Sequence, residues 1–304
     1  MVTNMTLTPT SLDASQLSAV SRLFSTSVVK ELAGKGKSPL FSRLVKESSI
    51  TSIVSPTETV RNFFDVAFML LKKKNHRHEY IYKTAIAHKI LFGIHSLRTA
   101  AMLSEFRVGS CKADVVILNG TSTVYEIKSE RDNLDRLQNQ IETYRKAFAK
   151  VNVITGEKHL KSVNQCVPSD VGLLLLTDRY QISTVRESIN DPSRVSPDVI
   201  FDSLQLSEAI RILESFDVSI PKLPNTQMCN AIRKQFIKLE PDQAHAGMVQ
   251  VLKESRSLLP LSNLIEALPA SLQTAAFSTK IRLKDHAKLV SAMDTPLCDA
   301  LNWK

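Results

Sequence analysis

Three short apolar and β-branched runs, Met102–Val108, Ala113–Leu118 and Thr123–Lys128, follow one another closely, parted by Gly109 and by Asn119-Gly120. Runs this short, bounded by turn residues, read as successive strands of a meander, and Asn-Gly is the strongest turn signal in the chain. Beyond them Leu134, Leu137, Ile141, Tyr144 and Phe148 recur at three- and four-residue intervals. That spacing predicts a helix from Asp132, as its cap, to about Ala149. Val151–Thr155 then reads as a strand, Glu157–Cys166 as a helix and Val171–Thr177 as a buried strand. The order β-β-β-α-β-α-β predicts an α/β core, a mixed sheet with helices on its faces.

The flanks carry helical periodicity. Apolar positions over Leu17–Leu32 and Thr57–Leu71 predict amphipathic helices, separated where Gly34-Lys35-Gly36-Lys37-Ser38-Pro39 breaks the pattern. Thr57 and Glu58, after Pro56, are the expected start of the second helix, and Glu79–Phe92 is expected to be a third, ending at Gly93. Leu204–Phe216, Met228–Leu239, Ala244–Leu258, Leu261–Leu268 and Ile281–Met293 read as helices punctuated by prolines. Residues 1–15 are Thr/Ser-rich and expected to fray. The division expected is an N-terminal helical segment (1–75), an α/β core (76–200) and a C-terminal helical region (201–304).

Composition narrows the class. In 304 residues, 43% are hydrophobic and 23% charged, ample for a globular core, and only 8 glycines argue against a loop-rich repeat architecture. The four cysteines (111, 166, 229 and 298) lie far apart, without zinc-knuckle or redox spacing. No basic start precedes an apolar run, and no apolar stretch approaches the ~20 residues that span a bilayer. The expectation is a soluble cytoplasmic protein with no membrane partner. The formal net charge of +9 favours polyanions. Residues 72–98 hold seven Lys/Arg against one acid, and Lys72, Lys73, Lys74, Arg77 and Lys83 are the candidate phosphate contacts; a solvated helical face is the plainer alternative.

The chemistry-bearing segment is Lys112-Ala-Asp114, then the strand ending Tyr125-Glu126-Ile127-Lys128. Side chains alternate along a strand, so Glu126 and Lys128 share one face and Tyr125 and Ile127 the other. A charged pair at the end of an apolar strand is costly to bury without partners, and two converging carboxylates suit a hard dication. A two-residue Asn119-Gly120 turn would point Asp114 away from Glu126. An odd loop, such as Asn119–Thr121 with a bulge, puts the two on one face, and that loop is the expectation.

Asp in one strand, a hairpin, then Glu-x-Lys in the next resembles the PD-(D/E)XK nuclease superfamily, most over residues 105–149 and more weakly over 79–178, and looks nearest to an uncharacterised bacterial branch of it. The resemblance implies a restriction-endonuclease-like mixed sheet and Mg²⁺- or Mn²⁺-dependent hydrolysis of phosphodiester bonds in nucleic acid, DNA before RNA. It implies Asp114, Glu126 and the main-chain carbonyl of Ile127 as metal ligands, Lys128 to orient the attacking water, and Gln140 to contact metal-bound water or phosphate. Gln140 and Tyr144, four residues apart, can meet on one helix face, though Tyr144 also belongs to the apolar stripe. Arg136 and Arg145 read as exposed helix charges. For a further upstream acid, Glu105 is nearer in sequence and preferred, with Glu79 the alternative. Ala113 stands where the motif's proline would. The helical flanks are expected to bind substrate, a partner protein or a second copy, and phage defence, a mobile element or DNA processing is the setting such folds suggest. A catalytically silent nucleic-acid-binding or complex-forming protein is the rival expectation.

Overall fold

The computed structural model describes residues 12–304, and residues 1–11, where most of the expected fraying falls, lie outside that range. The chain divides into two compact units, residues 1–81 with 263–304, and residues 82–262.

The first unit is helical. It contains α1 (Ala14–Leu23), α2 (Thr26–Lys35), α3 (Pro39–Ser48), α4 (Val60–Lys72) and the start of α5 (Glu79–Ile86). The single helix expected over Leu17–Leu32 is interrupted at Phe24, because the Ser25 hydroxyl accepts from the Val28 N–H and starts α2 afresh. Periodicity on either side continues without a phase change large enough to reveal that break. Gly36, at φ 72°, ends α2, and Ser38 caps α3, whose Pro39 occupies the first turn, where no N–H is needed. The start of α4 is set by Thr59, whose hydroxyl accepts from the Asn62 N–H, two residues later than expected. Phe24 stacks on Tyr80, with ring centroids 4.7 Å apart, and Phe41 packs edge-on against Phe63 at 5.6 Å. A lone bridge, Thr59 to Pro296, ties α4 to the C-terminal segment.

The second unit is built on a six-stranded sheet, and its helices run from the rest of α5 to α11. The strands are β1 (Ala101–Val108), β2 (Cys111–Leu118), β3 (Ser122–Lys128), β4 (Lys150–Thr155), β5 (Gly172–Leu176) and β6 (Ile182–Arg186), in that spatial order. The first three strands form the expected antiparallel meander, β3–β4 and β4–β5 are parallel, and β5–β6 is antiparallel. The parallel crossovers run through α6 (Leu137–Arg145) and α7 (Glu157–Cys166). Asp132 does not cap α6. Its carboxylate instead accepts from the N–H and hydroxyl of Ser129, at 2.8 and 2.6 Å. All five residues of β6 are exposed or half-buried, so no apolar alternation revealed it in the sequence.

One sheet face carries the core. Val116, Val124, Val151 and Leu173 pack with Tyr144 and Phe148 of α6 and with α8 (Pro197–Ser203), α9 (Leu206–Ser215), α10 (Asn225–Phe236) and α11 (Pro241–Ser255). The expected helix Leu204–Phe216 begins at Leu206, where a Gln205–Glu208 capping box fixes its start. The chain closes with α12 (Ser262–Ala267), α13 (Ala270–Phe277), α14 (His286–Met293) and α15 (Leu297–Ala300). Among the described residues no helix is long and apolar enough to cross a membrane.

Candidate functional site

The β2–β3 hairpin has the odd loop its charges require. Pairing runs from Leu118–Ser122 to Val115–Tyr125, which leaves residues 119–121 as the connection and, continued by one step, sets Asp114 opposite Glu126. Gly120 takes φ 95° at the tip, and the Asn119 N–H donates to the Thr121 carbonyl at 3.1 Å. A left-handed residue there suits glycine, and the extra residue turns Asp114 to the Glu126 face.

Glu126 is 2% and Lys128 7% exposed. Lys128 Nζ donates to Glu126 Oε1 at 2.8 Å and to Gln140 Oε1 at 2.9 Å. The Tyr144 hydroxyl stands 2.9 Å from Glu126 Oε2 and 3.0 Å from the Lys112 carbonyl, so its one proton serves either acceptor. The expected meeting of Gln140 and Tyr144 on one face of α6 thus occurs, with both side chains reaching Glu126. Burial raises the Glu126 pKa, and Lys128 and the hydrogen bonds oppose this only in part. Burial and the adjoining Glu126 carboxylate push the Tyr144 phenol up as well, so it stays a neutral donor. Asp114 is half-buried, and its Oδ2 accepts from the Ile127 N–H at 2.8 Å. That bond ties the acid to the strand carrying the Glu-x-Lys pair.

Glu105 adopts φ 57° within β1, a left-handed conformation that costs about 1–2 kcal/mol for an L residue. The β1–β2 register continues unbroken through it, which sets Glu105 opposite Asp114, and its carboxylate pairs with Lys83 and, at 2.5 Å, with Lys112. Burial works against ionisation, yet hydrogen bonds from Lys112 and Lys83 hold its pKa below the usual range. Glu105 and Asp114 present carboxylate oxygens within 4.8 Å of each other. Glu79 is exposed on the first turn of α5, in the first unit.

The second unit therefore gathers three carboxylates (Glu105, Asp114 and Glu126) and three ammonium groups (Lys83, Lys112 and Lys128), a cluster with no formal net charge. A dication arriving here would first have to displace a lysine from Glu105 or Glu126. Lys112 was missed by sequence reasoning, though a signal existed: it lies two residues before Asp114 on β2 and so shares that residue's face. No pattern in the sequence marks Lys83 as the partner of Glu105.

The basic stretch does not form one exposed stripe. Lys73 and Lys74 are exposed and Lys72 half-buried, but Arg77 is 1% exposed, with its Nε donating to the Lys72 carbonyl at 2.9 Å. Lys83 is also buried. Arg77 and Lys83 thus hold the fold together in place of presenting charge to a phosphate. On α6, Arg136 is exposed, whereas Arg145 pairs with Asp170 at 3.1 Å.

These features define a mixed α/β protein whose sheet carries a neutralised charge cluster, flanked by helices. The family described as Bacteriophage P4 protein cII matches residues 72–260, more than half of the chain, and the protein belongs to that family. Protein cII of Enterobacteria phage P4 is 35% identical over 101 residues, covering 33% of this chain and 38% of the relative. The match thus spans well under half of that protein. No solved structure matches. Membership of the cII family overturns the assignment to the PD-(D/E)XK superfamily, and with it the nuclease, hydrolase and magnesium-dependent phosphodiesterase expectations and the phage-defence setting attached to them. The Asp-hairpin-Glu-x-Lys spacing misled because a three-residue hairpin loop alone suffices to produce it.

Proposed function

We propose that the second unit is a nucleic-acid-binding module that meets the phosphate backbone, DNA before RNA, where β2 begins and β3 ends. The observation that carries this reading is the charge cluster bordered by exposed cations: Lys112 with 60% of its side chain exposed, Arg131 on the segment leaving β3, and Arg136 at the start of α6. Phosphate is a stronger partner for Lys112 than a carboxylate already shared with Lys83, and sequence-independent affinity rests on such contacts. Once Lys112 turns to phosphate, Glu105 keeps Lys83 as its one remaining ammonium partner. In that state Asp114, Glu126, Glu105 and the Ile127 carbonyl would hold Mg²⁺ or Mn²⁺, with Gln140 and Lys128 closing the cluster from α6 and β3. Phosphate and dication then enter together. The antiparallel meander followed by two parallel crossovers is compatible with the restriction-endonuclease-like arrangement expected from the sequence, and it enters this reading as geometry only.

The test is fluorescence anisotropy of labelled DNA and RNA, single- and double-stranded, at several salt concentrations with Mg²⁺, Mn²⁺ or EDTA. Binding strengthened by the dication is expected. Lys112→Glu and Arg136→Glu should each weaken it about tenfold and reduce the slope of log K against log salt by about 1. Absence of binding to every nucleic acid, or a slope unchanged in both variants, would refute the reading. Strand breakage in the same mixtures, lost in Lys128→Ala, would refute binding as the whole of the function.

A further inference from the structure

The sheet face opposite Glu126 carries a cavity of about 350 Å³ inside the second unit. Its floor is formed by side chains at alternate positions on neighbouring strands: Thr123 and Tyr125 of β3, Lys150 and Asn152 of β4, Leu174 of β5 and Thr184 of β6. The register pairs Thr123 with Lys150 and Tyr125 with Asn152, so these groups stand side by side.

Thr123, Tyr125 and Asn152 are 8%, 7% and 7% exposed. Among the described residues, none of their three polar heads has a hydrogen-bond partner, although all line the cavity. These polar atoms are not sealed from water but open onto the cavity, where an incoming group can meet them. Three together on one floor therefore point to a ligand with polar atoms of its own. Burial, reinforced by Glu187, raises the Tyr125 pKa, so the phenol faces the cavity as a donor.

The position of the Asn152 carboxamide is built. Opposite it stands Gly172, whose missing side chain makes room for that carboxamide, since an added Cβ would lie 1.9 Å from Asn152 Oδ1. At the rim, a π-helical turn over Ala87–Leu91 closes with the Phe92 N–H donating to the Ala87 carbonyl at 2.9 Å. Such turns are uncommon and concentrate at functional sites. This one supplies Lys89 and Ile90 to the cavity. Ile94, 70% exposed, adds an apolar surface at the mouth.

We infer that this cavity binds a purine nucleotide unit, adenine before guanine. A carboxamide offers a donor and an acceptor in one plane, matching the N7 and N6 edge of adenine. Ile90, Ile94 and Leu174 provide flat apolar contacts for the ring faces, while Lys89 and Lys150 provide cations for an adjoining phosphate. The volume falls at the small end of ligand pockets, about 300–1,000 Å³, room for one nucleotide. The same chemistry can arrive as a free mononucleotide or as an unpaired nucleotide in a strand. This site lies across the sheet from Lys112 and does not depend on the phosphate contact proposed above.

Isothermal titration calorimetry with AMP, CMP and a short adenine-containing single strand tests the assignment, using wild type, Asn152→Leu, Lys150→Glu and Lys112→Glu. Saturable AMP or oligonucleotide binding is expected, at least tenfold weaker in Asn152→Leu and in Lys150→Glu, with CMP binding more weakly than AMP. Circular dichroism should show Asn152→Leu folded and melting close to wild type, since its carboxamide makes no hydrogen bond within the described residues. AMP binding identifies the free nucleotide, and binding of the oligonucleotide alone identifies an unpaired base. Lys112→Glu should leave AMP binding unchanged, which separates failure of this site from failure of the backbone contact. Absence of binding by either probe, or binding indifferent to both Asn152→Leu and Lys150→Glu, overturns the inference.

Discussion

The buried Glu126–Lys128 pair makes a quantitative test of the charge cluster through the substitution Lys128→Met. Methionine keeps most of the stem and removes the ammonium, leaving a carboxylate that is 2% exposed with only Tyr144 and Gln140 as partners. Breaking one side of a buried pair costs about 3–5 kcal/mol, far more than an exposed pair would. The Glu126 pKa, already raised by burial against the pull of Lys128, must rise further once that pull is gone. Its folded value lies above its unfolded one, so between the two the native state holds more protons, and stability falls as pH rises through that window. The deficit of Lys128→Met should therefore be about 3–5 kcal/mol near pH 8. It should shrink as pH is lowered from 8 towards 5, because protonation of Glu126, favoured by its raised pKa, removes the uncompensated charge. The double variant Glu126→Gln with Lys128→Met carries no charge at either position, and its deficit should be about 1–2 kcal/mol at both pH values. Urea unfolding followed by far-ultraviolet circular dichroism measures all three against wild type. A single variant as stable as wild type near pH 8, or a deficit independent of pH, would refute the reasoning that Lys128 compensates a buried carboxylate.

Three further outcomes are expected. Glu208, 4% exposed, accepts from Arg256 through two nitrogens, from Ser255 and from the Gln205 N–H, so Glu208→Ala should cost about 2–4 kcal/mol in urea unfolding, against about 1 kcal/mol or less for the exposed pair partner in Arg211→Ala. His245 Nε2 accepts from the Ser122 N–H at 3.3 Å, and burial, opposed by Asp242, holds the imidazole pKa below 6.5. Its contribution to stability is therefore full above that value and lost as pH falls towards the native pKa, by up to about 1.4 kcal/mol per pH unit, a slope that His245→Gln should lack. Gly172→Ala drives a Cβ against Asn152 Oδ1 and to 3.0 Å from the Ser188 nitrogen, so it should destabilise by about 1–3 kcal/mol in thermal melts, and Asn152→Ala in the same chain should restore most of the loss.

Local pattern carried much of the second unit. The helix Glu157–Cys166 lies where its spacing predicts, and β1 to β5 fall within two residues of the apolar runs that announced them. The odd hairpin loop was legible because a charged pair at the end of an apolar strand is costly unless the facing strand brings Asp114 onto the same side. What failed were elements whose boundaries depend on something other than periodicity. β6 presents no alternation, α13 is made largely of small residues, and the break between α1 and α2 rests on one serine hydroxyl. The positive φ of Glu105 left no trace in residue type, since glutamate carries no preference for that conformation.

The family was not legible from spacing at all. Asp114, Glu126 and Lys128 meet because a hairpin of the right parity aligns them, and that parity says nothing of the chemistry done there. By itself the sequence determined which side chains share a strand face, where the mixed sheet lies in the chain and that the protein carries excess positive charge, because alternation and net charge are local or additive. Only the tertiary structure decided which of those charges are buried and with whom: Arg77 on the Lys72 carbonyl, Lys83 and Lys112 on Glu105, Lys128 on Glu126, and Asn152 facing an open cavity. The cost of a buried charge depends on the few groups within hydrogen-bond reach, and elements distant in sequence supply those groups.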